Sequence, residues 1–416
     1  MEEKTNNNEV LEKIHLLLAI FVLLWLNAGT YSYISDYIPT YIKITMYGLW
    51  LGLAIITKKK YVDDLVKLTL PLLFFMIIVK TSSIFASNTN LEAYLTNFIY
   101  AWIIASISIY YIKDKKENIK IILVVLIIDI IYVGINTFVN LIANPLISRL
   151  LSAGSDVKYK LIGDMGAFKA IGSYAYCYSL VMLFLVILDF TIKCKKNKIL
   201  HIIELALISL LLLKAQFTIA ILLTIIFCAK IVIDNMEKKK IVKYLLLLMI
   251  YVGIILLPVI IKSITQLDML PSEIKIRLIE INNAIQGTED VDNTDLHSRM
   301  ALYEKSIKTF GSNIIIGSWG ENNIGGHSTF FDYFGLYGTF AIFLILFYSN
   351  MYRYVKNNIG TKGQIILKNI WLYYLTLSII NTVIFTTLTV MLFVVVPFFI
   401  KFAYERIEDN ENSLDS

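Results

Sequence analysis

Long apolar segments separated by short polar connections fill most of this 416-residue chain. The segments are continuously apolar and do not alternate with a period of two, which is typical of membrane-spanning helices and not of barrel strands. Most of them are long enough to cross a hydrocarbon core of about 30 Å. The pattern predicts twelve spans, over residues 15–34, 41–57, 65–82, 92–112, 121–143, 171–192, 199–213, 216–235, 241–261, 329–350, 365–382 and 385–403.

The polar segment between the ninth and tenth spans is much longer than a turn. A helical stripe over Ser272–Gln286 predicts that it is folded. A second helix is predicted over Leu296–Phe310, supported by the i, i+4 pairs Asp295 with Arg299 and Glu304 with Lys308. We therefore expect an all-α, polytopic membrane helix bundle of about 12 transmembrane helices, with a large helical outer loop between spans 9 and 10. Its predicted parts are helices 1–9 (residues 1–262), an extracytoplasmic cap (263–328), and helices 10–12 with a cytoplasmic tail (329–416).

Lysine and arginine placement determines the predicted orientation. Dense basic clusters occur in alternate connections: Lys58–Lys60, Lys113–Lys120, Lys193–Lys198, Lys238–Lys240 and Arg353–Lys368. Assigning these clusters and both termini to the cytoplasm places about two thirds of the 38 Lys and Arg residues inside. A chain that is 57% hydrophobic is not an ordinary soluble protein. Its net charge of +6 reflects this topology, so no nucleic-acid partner is expected.

Some cationic residues fall on the outer side, although lysine and arginine are enriched in the cytoplasmic connections of membrane proteins. Lys43, Lys80 and Lys262 lie near span ends and are expected to extend to the lipid phosphates. The remaining candidates for binding an anion are Lys214, Arg149, Lys169, Arg277 and Arg299. Two alternatives stay open: Lys214 lies in a short turn that faces the bundle or the lipid, and Arg299 could pair with Asp295 on a solvated helix face.

His327 is the candidate for acid–base chemistry. Two glycines precede it, which lets the backbone approach a neighbour closely, and an amphipathic run from Thr329 to Gly335 follows. An unperturbed imidazole has a pKa near 6.5, which suits a general base at neutral pH. The alternative is a histidine that merely caps a helix. The sequence has no Gly-rich phosphate loop, no paired-cysteine motif and no His-Glu-x-x-His, so neither a metal nor a cofactor is predicted.

The order and spacing of these residues resemble a known family. The motif elements are Ser298-Arg299 with Tyr303, then Phe310, Ile316-Gly317, Gly326-His327-Ser328 with Asp332, and Gly335-Leu336-Tyr337-Gly338. Together with the late outer loop and the inside termini, this pattern is similar to the O-antigen polymerase and O-antigen ligase superfamily (Wzy-like proteins). The motif region covers about residues 298–338, and the topology extends the resemblance to most of the chain.

The resemblance implies a metal-independent glycosyltransferase of the bacterial cytoplasmic membrane. In this family, an acceptor hydroxyl attacks the anomeric carbon of a glycan linked to undecaprenyl diphosphate, at the outer face of the membrane. Applied to this sequence, the resemblance implies that His327 and Arg299 are catalytic residues. It implies diphosphate contacts from Lys214, Arg149, Lys169 and Arg277, and supporting roles for Ser328, Asp332 and Tyr303. The implied partners are the lipid-linked glycan, the bilayer and a chain-length regulator.

The chain departs from the family pattern after the seventh span. Many members carry Ser-Arg there, whereas this chain has Leu213-Lys214-Ala215-Gln216, and lysine cannot form the bidentate fork of arginine. Ser328 after the histidine favours a repeat-unit polymerase over a ligase. Two other functions stay open. Asp129 within the fifth span is the best support for a flippase or other transporter, and His15 is the weak support for a membrane O-acyltransferase.

Overall fold

The computed structural model describes residues 2–27, 34, 37–86, 90–151, 170–194, 197–236, 257–266, 275–276, 278–279, 282–283, 295–321, 323–383 and 386–412. Within these residues, every segment of regular secondary structure is helical, which confirms the predicted all-α class for this part of the chain. In chain order the first helices are α1 (Glu2–Leu26), α2 (Thr40–Thr57), α3 (Lys59–Phe85), α4 (Asn90–Tyr111), α5 (Lys116–Ala143), α6 (Ile147–Leu150), α7 (Tyr174–Lys193) and α8 (Lys198–Ala215).

The later helices are α9 (Thr218–Asn235), α10 (Leu257–Thr265), α11 (Asp295–Ser312), α12 (Thr329–Tyr337), α13 (Ile342–Asn357), α14 (Gln364–Ile380), α15 (Thr386–Val390) and α16 (Val396–Asn412). A 3₁₀ turn at Gly338–Ala341 joins α12 to α13, and a π-helical turn at Met391–Val395 joins α15 to α16. Where they are described, the predicted spans lie largely on helices, although α1 ends at Leu26, short of the predicted end of the first span. Residues 28–33 of the first span, 241–256 of the ninth and 385 of the twelfth lie outside the described residues.

Six of the described helical segments are long and apolar enough to cross a membrane. They are Thr40–Thr57, Lys116–Ala143, Tyr174–Lys193, Thr218–Asn235, Thr329–Asn357 and Thr386–Glu405. Their surfaces carry many exposed aliphatic side chains, such as Ile128 and Ile225, which a lipid environment would cover. These helices are consistent with a multi-pass membrane protein, while the count of twelve spans remains a prediction.

The chain forms two compact units. The first contains Met1–Val186, Phe340–Trp371 and Ile384–Ser416, and the second contains Ile187–Thr339 and Leu372–Val383. In the first unit, Trp50, Phe75 and Phe393 are fully buried among the helices. His15 is buried with them: its ring stacks on Trp50 with centroids 5.3 Å apart, and Nδ1 lies 2.9 Å from the Tyr111 hydroxyl. His15 is thus part of an aromatic core.

One end of the first unit gathers the connections that the charge pattern assigns to the cytoplasm. Its ion pairs join Lys113 to Asp64 (2.7 Å), Lys115 to Glu12 (2.9 Å), Lys58 to Asp114 (3.3 Å) and Lys116 to Glu405 (3.2 Å). Each pair is partly exposed, so each contributes little to stability. They show, however, which segments lie together. Residues near both termini and in the α2–α3 and α4–α5 connections are at the same end of the unit.

Asp129 is buried within this unit and has a polar neighbour. Asn27 Nδ2 donates a 2.8 Å hydrogen bond to Asp129 Oδ2, and both side chains are buried. A buried carboxylate in an apolar environment needs such a donor, because a buried carboxylate without a hydrogen bond would be costly.

The position of the Lys43 side chain differs from the prediction. The side chain does not extend to the lipid surface but is buried, with Nζ 5.4 Å from the centre of the Trp25 ring.

The second unit contains helices α8 to α12, together with the last residues of α7 and of α14. After α11 the chain folds back along α12 in a series of turns. Ser318 N donates to Gly335 O and Thr339 N donates to Ile314 O, both at 2.8 Å. These backbone hydrogen bonds hold the connection against the far end of α12. Residues 295–321 and 323–328 of the predicted cap therefore pack on the start of the tenth predicted span.

Candidate functional site

The helix α11 forms one side of the candidate site. It runs from Asp295 to Ser312, two residues longer than the predicted Leu296–Phe310 at its C-terminal end, and the predicted Glu304–Lys308 ion pair is present at 2.7 Å. Ser306 and Thr309 are buried, with relative exposures of 0% and 5%. Ring contacts complete the packing on α12: Tyr303 lies 6.0 Å from Phe331, and Phe310 lies 5.4 Å from Phe334.

Asp332 connects α11 to the loop that carries His327. Its buried carboxylate accepts hydrogen bonds from Ser306 Oγ (2.6 Å), Ser328 N (2.9 Å) and Gly326 N (3.1 Å). The last two donors are the backbone amides on either side of His327. The His327 side chain is exposed. The carboxylate therefore fixes the backbone around the imidazole while the imidazole itself remains accessible.

Two glycines allow this loop to lie against α11. A β-carbon on Gly325 would be 2.1 Å from the Leu302 carbonyl oxygen, so no larger residue fits there without a shift of the backbone. Gly325 N also donates to Ser306 Oγ at 2.9 Å. Gly326 has φ +78°, in the left-handed region that glycine adopts readily. The expectation that the glycines permit close backbone approach is confirmed at Gly325.

Ser328 caps α12 and ties it to the end of α14. The Ser328 hydroxyl accepts a hydrogen bond from Phe331 N (3.1 Å), as expected of an N-cap, and donates to Ser378 O (3.3 Å). One residue later, Thr329 N donates to Asn381 O at 3.2 Å. The beginning of α12 is thus anchored on two sides, by α11 through Asp332 and by the end of α14 through Ser328.

Arg299 and Tyr303 are one helical turn apart on α11, and the guanidinium is close enough to the Tyr303 hydroxyl to act on it electrostatically. The Tyr303 hydroxyl donates to Ile380 O at 2.5 Å, so it also reaches the end of α14. Burial raises the pKa of Tyr303, and the Arg299 guanidinium opposes that rise. Asp332 is close enough to Tyr303 to act on it electrostatically, and His327 acts in the same way on Asp332.

The structure therefore brings five predicted site residues into one neighbourhood on α11 and the start of α12: Arg299, Tyr303, His327, Ser328 and Asp332. Lys214 is exposed in the last turn of α8 and makes no hydrogen bond or ion pair with the described residues. Arg149 belongs to α6, but its side chain is outside the described residues, as are Lys169 and Arg277. Convergence of these four cations on Arg299 remains a prediction.

Ser306 is the site residue that the sequence did not identify. Its hydroxyl donates to the Asp332 carboxylate on α12 and accepts from the Gly325 amide in the loop, so it links α11 to both. A serine within a helix carries no distinctive sequence signal, because its partners are 19 and 26 residues away. The available hint was its spacing of three residues after Tyr303, which places both on one face of α11.

A metal site needs several His, Cys, Asp or Glu side chains close together. Among the described residues, no three His, Cys, Asp or Glu side chains are grouped closely enough to hold a metal ion.

No model of a known protein family matches the chain, and no curated protein matches it either. The class of the protein is therefore defined by its fold, as a helical protein with several candidate membrane spans, and its activity has to be argued from the site.

Proposed function

We propose that this protein polymerises undecaprenyl-diphosphate-linked oligosaccharide repeat units into a capsular or O-antigen-type polysaccharide at the outer face of the bacterial cytoplasmic membrane. The observation that carries the proposal is the arrangement around Asp332. An accessible histidine is carried by a loop whose backbone is hydrogen-bonded to a buried carboxylate, and the helix that anchors this loop also presents an arginine next to a tyrosine. A proton acceptor and a fixed cation are what transfer from a lipid diphosphate requires.

In the proposed reaction, a hydroxyl oxygen of the acceptor glycan attacks the anomeric carbon of the donor glycan. A new glycosidic bond forms, and the bond between the anomeric carbon and the diphosphate oxygen breaks. His327 takes the proton of the attacking hydroxyl. Arg299 stabilises the negative charge that develops on the departing diphosphate, with Lys214, Arg149, Lys169 and Arg277 as further candidates. The diphosphate is already a good leaving group, so the proposed enzyme is a metal-independent glycosyltransferase without a cofactor.

The supporting residues have distinct proposed roles. Tyr303 orients Arg299, because the hydroxyl beside the guanidinium is itself held by the Ile380 carbonyl. Asp332 and Ser328 position His327 through the backbone and do not need to contact the substrate. The apolar helices support a lipid-embedded donor. The shared end of the cytoplasmically assigned connections supports an orientation with both termini inside.

The second candidate is a lipid-linked oligosaccharide flippase or another multispan transporter. A buried carboxylate in a candidate span, Asp129, favours it. The Asn27 amide donates to this carboxylate, which is also what a purely structural aspartate would show. For a membrane O-acyltransferase, His15 was the supporting residue, and its burial in an aromatic core weakens that reading.

The two functions are separated by mass spectrometry of lipid-linked glycans in a deletion strain. Loss of a polymerase leaves single repeat units on the outer face, whereas loss of a flippase leaves them inside. Complementation with Arg299→Ala should fail to restore polymer at normal protein abundance, and Arg299→Lys should restore little of it, because the forked geometry is lost. Arg353→Ala, an exposed arginine on α13, is the matched control. Normal polymer in Arg299→Ala would refute the proposed diphosphate role.

A further inference from the structure

The outer face of α11 carries a groove that is separate from the Arg299–Tyr303 pair. Ala301, Lys305, Lys308 and Ser312 follow one another at spacings of four, three and four residues, so they form one stripe along the helix. The groove beside this stripe has a volume of about 440 Å³, within the range of small-molecule sites. It is lined by Ala301, Glu304, Lys305, Lys308, Thr309, Ser312 and Asn323. Along α11 it extends from Ala301 to Ser312, which corresponds to about 17 Å of helix.

The floor of this groove is fixed to the helix. Thr309 is buried, and its hydroxyl donates to Asn323 O at 2.5 Å and to Lys305 O at 2.9 Å. Asn323 opens the segment that leads to His327, which follows four residues later. Four residues of fully extended chain span at most about 14 Å. The groove therefore ends within about 14 Å of the proposed catalytic base.

The charges of the groove favour an anionic ligand. Glu304 is bound to Lys308 at 2.7 Å, so these two charges largely compensate each other. Lys305 has no ion pair with any described residue, which leaves one uncompensated positive charge in the groove. The other polar groups are a hydroxyl from Ser312 and an amide from Asn323, both of which hydrogen-bond readily to hydroxyl-rich ligands. Apart from Ala301, the lining is polar, which disfavours a lipid tail.

We propose that this groove binds an acidic oligosaccharide, namely the stretch of acceptor glycan next to the sugar whose hydroxyl reacts. Lys305 binds a carboxylate or phosphate group of the glycan, and Ser312 and Asn323 bind its hydroxyls. This assignment rests on the proposed function, since it places the acceptor chain beside His327. It adds that the polymer carries negative charge and that its recognition uses the outer face of α11.

Binding of a defined probe to the purified full-length protein tests the assignment. Trigalacturonate is titrated calorimetrically against wild type, with maltotriose as the neutral probe of the same length. We expect trigalacturonate to bind at least tenfold more tightly than maltotriose. Lys305→Ala should weaken trigalacturonate binding at least tenfold. Lys308→Ala should weaken it less because its charge is already compensated, and Glu304→Gln should strengthen it severalfold. Lys80→Ala, which removes an exposed lysine from α3, should change nothing.

Equal affinity for the two probes, or unchanged binding in Lys305→Ala, would overturn the assignment. A second arm tests anionic lipid headgroups as the true ligand. If Lys305→Ala abolishes binding to phosphatidylglycerol vesicles and leaves trigalacturonate binding intact, the groove is a lipid site. His327→Gln separates this inference from the proposed function, because it should retain trigalacturonate binding and lose polymerisation. Binding by a wild-type protein that makes no polymer from lipid-linked repeat units would instead contradict the proposed function alone.

Discussion

Ser306 and Asp332 are joined by a 2.6 Å hydrogen bond, although 26 residues separate them in the chain. Both side chains are buried, and the same carboxylate receives the two backbone amides that flank His327. The position of the imidazole therefore depends on a contact between α11 and α12. The backbone on both sides of an exposed histidine is thereby held in a defined place.

Replacement of Ser306 by alanine should loosen this contact. The Asp332 carboxylate would lose one of its three donors while remaining buried, and Gly325 N would lose its acceptor. We expect a loss of about 1–3 kcal/mol in the free energy of unfolding, together with slower polymerisation. Ser312→Ala is the control for stability alone, because that hydroxyl is exposed and bonds only to the preceding turn. Thermal unfolding of both purified variants measures the difference, and equal values would show that the contact is not structural.

The close approach at Gly325 can be tested with a single methyl group. In Gly325→Ala, the new β-carbon would lie 2.1 Å from the Leu302 carbonyl oxygen, so the loop must move away from α11. We expect a destabilisation of about 1–3 kcal/mol and a loss of polymer. Gly311→Ala places the same methyl group in open space on the same helix and should be neutral or slightly stabilising. Wild-type polymer in Gly325→Ala would show that the loop position does not matter.

The orientation is testable by cysteine labelling in intact cells. After the native Cys177, Cys194 and Cys228 are replaced by serine, a cysteine at Glu321 should react with a membrane-impermeant maleimide, because this exposed residue lies on the predicted outer side. A cysteine at Thr361, in the exposed turn between α13 and α14, should react only after the membrane is permeabilised. The reverse pattern would place the whole candidate site in the cytoplasm.

Asp129 distinguishes the transporter from the polymerase. If its carboxylate serves only as an acceptor for the Asn27 amide, Asp129→Asn keeps an oxygen acceptor at the same place. We expect that variant to make polymer at close to the wild-type rate. A proton- or ion-coupled carrier would instead lose activity, because an amide cannot ionise. Trapped repeat units on the cytoplasmic side of Asp129→Asn cells would favour the carrier.

The sequence predicted those parts of the site that depend on local pattern. The helix α11, its Glu304–Lys308 pair and the start of α12 at Thr329 follow from periodicity, spacing and the end of the polar segment. The contacts to the end of α14 depend on tertiary packing. The Tyr303 hydroxyl, for example, bonds to Ile380 O, 77 residues away, and no local sequence pattern predicts this pairing. The same reason explains Lys43: a lysine near a span end is expected at the lipid surface, yet here a tryptophan from another helix covers it.

The prediction that the reaction needs no metal can be examined separately. Purified protein assayed with lipid-linked repeat units should keep its activity in EDTA, because a histidine base and an arginine–diphosphate contact supply the required chemistry. Mg²⁺ or Mn²⁺ added back should change the rate little. Complete loss on chelation, restored by a divalent ion, would indicate that His327 and Asp332 contribute to a metal site.

The most direct test of the proposed role of His327 is single-residue replacement in a purified, reconstituted system. His327→Gln retains a hydrogen-bonding side chain of similar reach but cannot accept a proton at neutral pH. We expect its polymerisation rate to fall by about 10²–10⁴, the usual effect of losing a general base, with donor binding unchanged. His201→Gln, a histidine paired with Glu204 on α8, is the matched control and should retain full activity. A His327→Gln enzyme that polymerises lipid-linked repeat units at the wild-type rate would contradict the account.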